Sequence, residues 1–515
     1  MGAQQARELV MGLDVGSTGV KAALFDPVAD RSLAEPIATA TVHYVAHQPR
    51  AGISEHAGDL LVQASVAAMR ELREQVCAAD SLAAIAVDAM MSGAIPVDAN
   101  GAALAPYTTT LDRRSDPWLL PATREHGEKI FSHTGSTQPV MAAKIAWLQD
   151  EFGSGFDRVA KVLPAGSFVA GRLANLSAEA SFIDPTYLWM TGLADVRHNR
   201  WADELTGLLA VAPHLLPTIR DTTEVIGTLD KAIAAATGWQ AGIPIVAGCG
   251  DQLAGYLGAG LNRPGMAGDV AGTYAVFAVA TDHFEPALAH RFECVRAAIP
   301  GLYYTQSFVA GGGLNNGWFC ASVIEGRGLD DGVGDADLPD LLSRAAAAVA
   351  PGADGLLFVP HLGGQALPLA PDLRGGWLGL HWSHRREHLF RAVLESIAYE
   401  HRLSLQERAR QPGFVCPAQV MTYGGGAANA VWRQIKANVL GIAYRHSGIV
   451  DPAARGCALL AAAGVGMIDD LAQASAVRAD NDVAEPDGAA HAAYAALVER
   501  YEKTLLALAA LAALA

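Results

Sequence analysis

Apolar positions along the chain fall into two alternating patterns. Short, nearly continuous apolar runs at residues 85–89 (IAVDA), 94–97 (AIPV) and 243–248 (IPIVAG) have the length and composition of buried strands. Over residues 387–403 (EHLFRAVLESIAYEHRL) the apolar positions instead recur every three or four residues. Leu389, Val393 and Ile397, with Phe390 and Leu394 beside them, mark the buried stripe of a helix. Val431, Ile435 and Val439 continue the same spacing after a triple glycine. The run at 94–97 leads into DANG (98–101), where Asn100-Gly101 signals a turn. Strands alternating with helices predict an α/β protein.

Glycine punctuates this pattern. Many of the 53 glycines cluster where apolar runs end, at 12–19, 248–260, 268–272 and 424–426, and such turns let backbone approach a ligand closely. Residues 12–26 (GLDVGSTGVKAALFD) are echoed by 268–282 (GDVAGTYAVFAVATD), each reading as a hairpin with a Gly-plus-hydroxyl turn. A second echo pairs GGGLNNGW (311–318) with GGGAANAVW (424–432). Together they predict two similar lobes, 1–253 and 254–515, meeting in the Gly-rich stretch 253–267.

Composition narrows the class. A chain of 515 residues exceeds one hydrophobic core, and 51% hydrophobic against 17% charged residues excludes a largely disordered protein. The net charge of −16 disfavours nucleic acid as a partner, which needs a basic face. Six scattered cysteines without a C-x-x-C pair fit reduced thiols, and the 16 histidines show no metal-ligand spacing. The terminal apolar tract, 505–515, is shorter than the ~18 residues of a bilayer span and reads as the end of a helix. A cytoplasmic protein with no membrane partner is expected. The acidic stretch 330–340 reads as a solvated loop.

Three places carry chemistry. In the first, Asp14 precedes Gly16, Ser17, Thr18 and Gly19, with Lys21 close behind. Glycines, hydroxyls, a cation and a carboxylate able to hold Mg²⁺ through water meet the needs of a nucleotide phosphate tail. The same residues would also make an ordinary hairpin turn, and no P-loop is present. In the second, Gly248-Cys-Gly-Asp251-Gln252 puts a carboxylate at the end of a strand, where it can take a hydroxyl proton. Capping the helix that follows is the alternative role for Asp251. In the third, Gly424, Gly425 and Gly426 clear a surface on which a base or ribose can lie, with Asn429 offering an amide. A tight strand-to-helix turn would look the same. Neither 248–253 nor 424–429 completes a Rossmann fingerprint.

In this order and at these separations, the set resembles the FGGY family of carbohydrate kinases. It comprises Asp14-x-Gly-Ser-Thr-x-x-Lys21, Gly248-x-Gly-Asp-Gln252, Gly272-Thr273 and GGGAANAVWRQIKANVLG (424–441), and the likeness runs over about residues 11–466. TGSTQPVMAAKIAWL (134–148), LFVPHLGG (357–364), RAVLESIAYEHR (391–402) and RGCALLAAAGVG (455–466) add to it. The resemblance implies two RNase H-like lobes of the sugar-kinase/actin-like fold with an active site between them. It implies ATP phosphates against Gly16, Ser17, Thr18, Gly272 and Thr273, with Mg²⁺ at Asp14. Adenosine is implied near Gly424, Gly425, Gly426 and Asn429, with Gly312 as a further nucleotide contact. Asp251 becomes the catalytic base.

The acceptor region departs from the family. Xylulose kinases resemble S-G-Q-M-H-G where this chain has Asp88-Ala-Met-Met-Ser-Gly93, so Met90 and Ser92 replace Gln and His. The family's G-E-R-x-P appears as Gly364-Gln-Ala-Leu-Pro368. Met91, Ser92, Asp112 and Arg114 remain as acceptor contacts beside Asp251. The expected activity is ATP-dependent phosphorylation of a primary hydroxyl on a small sugar or polyol, a pentulose or a related compound. A kinase of a non-sugar hydroxylated metabolite and an actin- or chaperone-like ATPase are the rival readings, and a homodimer is allowed.

Overall fold

A computed structural model of the protein describes residues 6–272, 274–285, 291–328, 337–477 and 482–512. Its N-terminal half is built on six strands: β1 (Glu8–Val15), β2 (Gly19–Phe25), β3 (Ala38–His43), β4 (Ser81–Ala89), β5 (Val225–Thr228) and β6 (Pro244–Gly250). They lie in the order β5-β6-β4-β1-β2-β3, and helix α1 (Gly58–Glu74) packs on β2 and β3. β1, β2 and β3 form an antiparallel meander, while β4 runs parallel to β1 and β6 parallel to β4. β1 and β4 are buried over nearly their whole length, as strands covered on both faces must be.

The C-terminal half repeats this plan. Its strands are β7 (Ala267–Ala271), β8 (Ala275–Thr281), β9 (Glu293–Arg296), β10 (Tyr303–Val309), β11 (Gln419–Tyr423), β12 (Ala443–His446) and β13 (Val483–Ala484), ordered β9-β10-β8-β7-β11-β12-β13. The run β10-β8-β7-β11-β12 has the pairing sense of β3-β2-β1-β4-β6 strand for strand. The echo between 12–26 and 268–282 is therefore structural, with Gly12 paired to Ala23 in one hairpin and Gly268 to Ala278 in the other. The expected two-lobed α/β architecture is observed.

The GGG echo has a different meaning from the one expected. Residues 311–313 follow β10 and residues 424–426 follow β11, so both belong to the C-terminal sheet and do not relate the halves. β7, β10 and β11 point the same way, and the likeness reflects a shared strand-to-helix turn at one edge of one sheet.

The stretch 253–267 also differs from a linker. Its first part lies in helix α2 (Asp251–Gly258), so position 253/254 falls inside a helix. A Cβ on Gly258 would run into the Pro452 carbonyl, and one on Gly456 into that of Ala254. These glycines serve close packing of α2 against a helix spanning Pro452–Gly464, not chain flexibility. That later helix also lies on β1, where Gly12 leaves room for the Ala454 carbonyl, and one apolar core runs through both.

Helix α3 (Arg386–Ala409) carries the predicted 387–403 stripe and α4 (Ala430–Leu440) follows the triple glycine. The helix at Pro452–Gly464 becomes α5, and α6 (Gly488–Ala512) ends the described chain, with 513–515 outside it. Of the acidic stretch 330–340, residues 330–336 lie outside the described residues, and a helix begins at Leu338. None of the six cysteines forms a disulfide. Among the described residues no helix is long and apolar enough to cross a membrane.

Candidate active site

Three neighbouring parallel strands end at one edge of the N-terminal sheet, and each delivers a carboxylate there. Asp14 lies at the end of β1, its register partner Asp88 at the end of β4, and Asp251 directly after β6. A fourth, Asp451, caps α5 by accepting the Ala454 N–H (3.1 Å). The one cation paired among them in the described structure is Lys21, opposite Asp14 in the β1–β2 hairpin and 3.4 Å from Asp451.

Burying carboxylates together makes their charged forms costly. Desolvation, with Asp14 nearby, pushes the Asp251 pKa up to about 7. Desolvation and Asp451 raise Asp14 to about 6 against the opposing pull of Lys21. Asp88 is wholly buried, with the Asp14 carboxyl and the Cys457 thiol as its hydrogen-bonding neighbours, and burial beside Asp14 raises it well above the usual carboxylate range. Asp251 does not cap α2; Gly250 holds the cap position and makes no side-chain bond. Asp251 is the first helical residue, accepting the Gln252 N–H (2.7 Å) and remaining partly exposed.

The hairpin after Asp14 is closed by the Gly16 N–H donating to the Gly19 carbonyl (3.0 Å), and the Tyr44 hydroxyl donates to the Gly16 carbonyl (2.6 Å). Ser17 and Thr18 stand exposed at its tip. On the C-terminal sheet, Gly272 follows β7 and accepts the Gly313 N–H (2.8 Å). Thr273 lies outside the described residues. Gly424 has φ +91°, and a Cβ there would sit 3.1 Å from the Ala271 carbonyl, so the 424–426 turn abuts the 271–272 turn. Gly426 packs on the Trp432 ring, whereas a Cβ on the exposed Gly425 would meet nothing within 4 Å.

Two expected nucleotide contacts are otherwise engaged. Gly312 is buried, and a Cβ there would press on Ala275 at 2.8 Å, so this glycine serves helix–strand packing. The Asn429 side chain caps α4, accepting the Trp432 N–H (3.0 Å) and donating to the Ser343 hydroxyl (2.6 Å).

On the acceptor side the methionine pair divides. Met90 joins the core beneath β1, while Met91 packs so closely on Gly250 that a Cβ there would lie 2.6 Å from its sulfur. Met91 thus forms the apolar neighbour of Asp251. Ser92 adopts φ +62°. Asp112 is buried and holds Arg114 (2.7 Å) while accepting the Ser54 N–H (3.0 Å). Arg114 also pairs with Glu55 (2.5 Å) and lies over the Trp147 ring (4.5 Å). The buried Lys144 donates to the Thr108 hydroxyl (3.0 Å) and the Thr109 carbonyl (3.2 Å), and burial lowers its pKa to about 8. Asp112 is therefore the anchor of Arg114.

The sequence reading missed Asp88, Asp451, Glu55 and Lys144. A charge closing the apolar run IAVDA marks Asp88, and the helix-opening Asp451-Pro452 marks Asp451. Nothing local marks Glu55 or Lys144.

Two family models match the chain: the N-terminal domain of the FGGY family of carbohydrate kinases over residues 9–258, and its C-terminal domain over 269–465. The chain belongs to the FGGY family. Members are ATP-dependent phosphotransferases acting on carbohydrates, and this chain is one. A gluconokinase of Bacillus subtilis (strain 168) is 27% identical over 442 residues, covering 84% of this chain and 82% of that protein. A xylulose kinase of Lactococcus lactis subsp. lactis (strain IL1403) is 25% identical, covering 90% and 89%. The crystal structure of xylulose kinase from Rhodospirillum rubrum superimposes with a TM-score of 0.84 at 25% identity, covering 98% of this chain and 100% of that one.

The carboxylate edge suits a divalent cation. Asp14, Asp88 and Asp451 act on the ammonium of Lys21, Asp251 lies beside Asp14, and Asp14 is nearly buried and held at a raised pKa. Among the described residues no three side chains converge as a metal cage. Mg²⁺ bound chiefly through phosphates and one or two carboxylates needs none.

Proposed function

We propose that this kinase transfers the ATP γ-phosphoryl group to a primary hydroxyl of a small sugar or polyol, with Asp251 as catalytic base. The observation that carries the reading is the placement of Asp251. It is a partly exposed carboxylate with a pKa near 7, one residue from Met91-packed Gly250 and on the same sheet edge as the Gly16–Ser17–Thr18 hairpin.

In this reading the hairpin N–H groups and the turns at Gly272 and Gly424 hold the phosphates, with adenosine over the open face of Gly425. Asp14 would hold Mg²⁺, and the ion would neutralise charge on the transferring phosphoryl oxygens. Asp251 orients the acceptor hydroxyl and takes its proton as the new P–O bond forms, while the bond from the γ-phosphorus to the β–γ bridging oxygen breaks and ADP leaves with that oxygen. Phosphoryl transfer is mostly positioning, so a base of modest strength is enough. Because the base must be ionised, kcat/KM for the acceptor should fall on acidification through about pH 7, with a slope approaching one. A profile flat from pH 8 to pH 5.5 would remove Asp251 from that role.

Met91 and Ser92 stand where xylulose kinases resemble Met and His, and Met90, where they resemble Gln, is turned into the core. A site with fewer hydrogen-bonding groups rejects a richly hydroxylated substrate's competitors less strongly. An acceptor less hydroxylated than D-xylulose, or differently configured, should be preferred. Steady-state kinetics on a panel of ketoses, polyols and sugar acids tests this, and D-xylulose giving the highest kcat/KM would overturn it.

Asp112→Ala should raise the acceptor KM and leave ATP affinity unchanged, because it releases Arg114 on the acceptor side alone. Losing the charged hydrogen bonds should also cost about 1.5–3 kcal/mol of stability, read as a lowered Tm. Equal weakening of both substrates would show that the pair supports the whole lobe.

A further inference from the structure

His56 is buried at 1% exposure, and neither ring nitrogen makes a well-formed hydrogen bond. Its surroundings give this orphan a direction. The ring packs edge-on against Tyr44 (centroids 5.0 Å apart), and Tyr44 is tied to the phosphate hairpin twice. Its hydroxyl donates to the Gly16 carbonyl (2.6 Å) and its N–H to the Thr18 carbonyl (3.0 Å). Burial lowers the His56 pKa, and a loose hydrogen bond to the Ser17 backbone, at the tip of that hairpin, opposes it. The next two residues back along the chain face the acceptor side. Glu55 pairs with Arg114 (2.5 Å), and the Ser54 N–H donates to Asp112 (3.0 Å). Residues 54–56 thus join the acceptor segment to the nucleotide hairpin, and strand pairing of Glu55 and His56 with Thr108 and Tyr107 stiffens the join.

We infer that His56 is a positioning residue for the phosphate hairpin, its ring N–H taking the Ser17 carbonyl as the hairpin settles around the ATP phosphates. This inference rests on the proposed nucleotide site at Gly16, Ser17 and Thr18. A buried polar group without a partner is costly, and one beside a ligand loop is resolved when that loop reaches its bound form. A fixed carbonyl holds the hairpin's N–H groups pointing outward, which lowers the ordering cost of binding.

The test measures the Kd of a non-hydrolysable ATP analogue with Mg²⁺, by calorimetry, for the wild type, His56→Phe and His56→Gln. His56→Phe keeps an aromatic ring against Tyr44 but removes the N–H; His56→Gln keeps a donor. The analogue should bind about tenfold more weakly to His56→Phe, the loss expected for one hydrogen bond. His56→Gln should recover part of that loss, with unchanged acceptor KM at saturating ATP in both. Equal affinity in wild type and His56→Phe would overturn the inference, as would an equal loss in both variants, which would mean ring packing alone. If His56→Phe does not fold, His56→Leu takes its place with the same two criteria. Binding needs no acceptor, so the proposed kinase reading can fail separately. A wild type that binds the analogue but phosphorylates nothing on the panel would remove the reading and leave His56 to be judged on Kd.

Discussion

Asp251→Asn should lower kcat by about 10²–10⁴ and leave the Kd of the ATP analogue within a few-fold of the wild type. The substitution keeps the shape of the side chain and removes the basic oxygen. Its structural cost is small, since Asp251 makes a single hydrogen bond, to the Gln252 N–H, which an amide oxygen also accepts. The linked effect on stability has a definite sign. A carboxylate whose pKa rises from 3.8 unfolded to about 7 folded destabilises the protein above pH ~4, fully so above pH 7. The variant should therefore melt at or above the wild-type Tm at pH 8, and the difference should vanish near pH 4. A variant that loses activity and also melts well below wild type at pH 8 would mark Asp251 as a support of α2.

Gly425→Val should raise the KM for ATP by roughly 10²-fold, about the loss of three kcal/mol of binding, with little effect on the acceptor KM. The three glycines of this turn are not equivalent, which makes the prediction specific. Gly424 needs its positive φ, and Gly426 gives way to the Trp432 ring. Gly425 has neither constraint: its φ is ordinary and a Cβ would enter open space. A branched side chain there fits the folded protein and occupies only the surface assigned to adenosine. Calorimetry with the ATP analogue checks it. Unchanged affinity would move the nucleotide off this turn, and Gly424→Val, which should unfold or misfold the turn, provides the contrast.

The candidate site is most legible in the sequence where its chemistry is local. The hairpin from Asp14 to Lys21, the strand-end Asp251 and the triple glycine are contiguous motifs, and each sits on a strand end as read. The echo of residues 12–26 in 268–282 exposed the doubled sheet because hairpin turns repeat in sequence as well as in space. Features assembled across distance were not legible. Asp88 meets Asp14 only through parallel pairing of strands some seventy residues apart, and Asp451 arrives on a helix from the other half of the chain. Composition also misled. Glycines at 255, 258 and 260 look like linker residues, yet Gly258 lets α2 and α5 cross in contact. Asn429 resembles a ligand amide, and its local role as a helix cap uses its oxygen first.

We propose above that ATP turnover here is acceptor phosphorylation controlled by Asp251. It is tested most directly by coupled ADP release with Mg²⁺·ATP, with and without each member of a panel of sugars, sugar acids and polyols. Turnover should rise at least ~tenfold above the acceptor-free rate with one acceptor class, yield a phosphate monoester at a primary hydroxyl, and disappear in Asp251→Asn. ADP release at the same rate with and without every acceptor, or full acceptor-dependent turnover in Asp251→Asn, would contradict it.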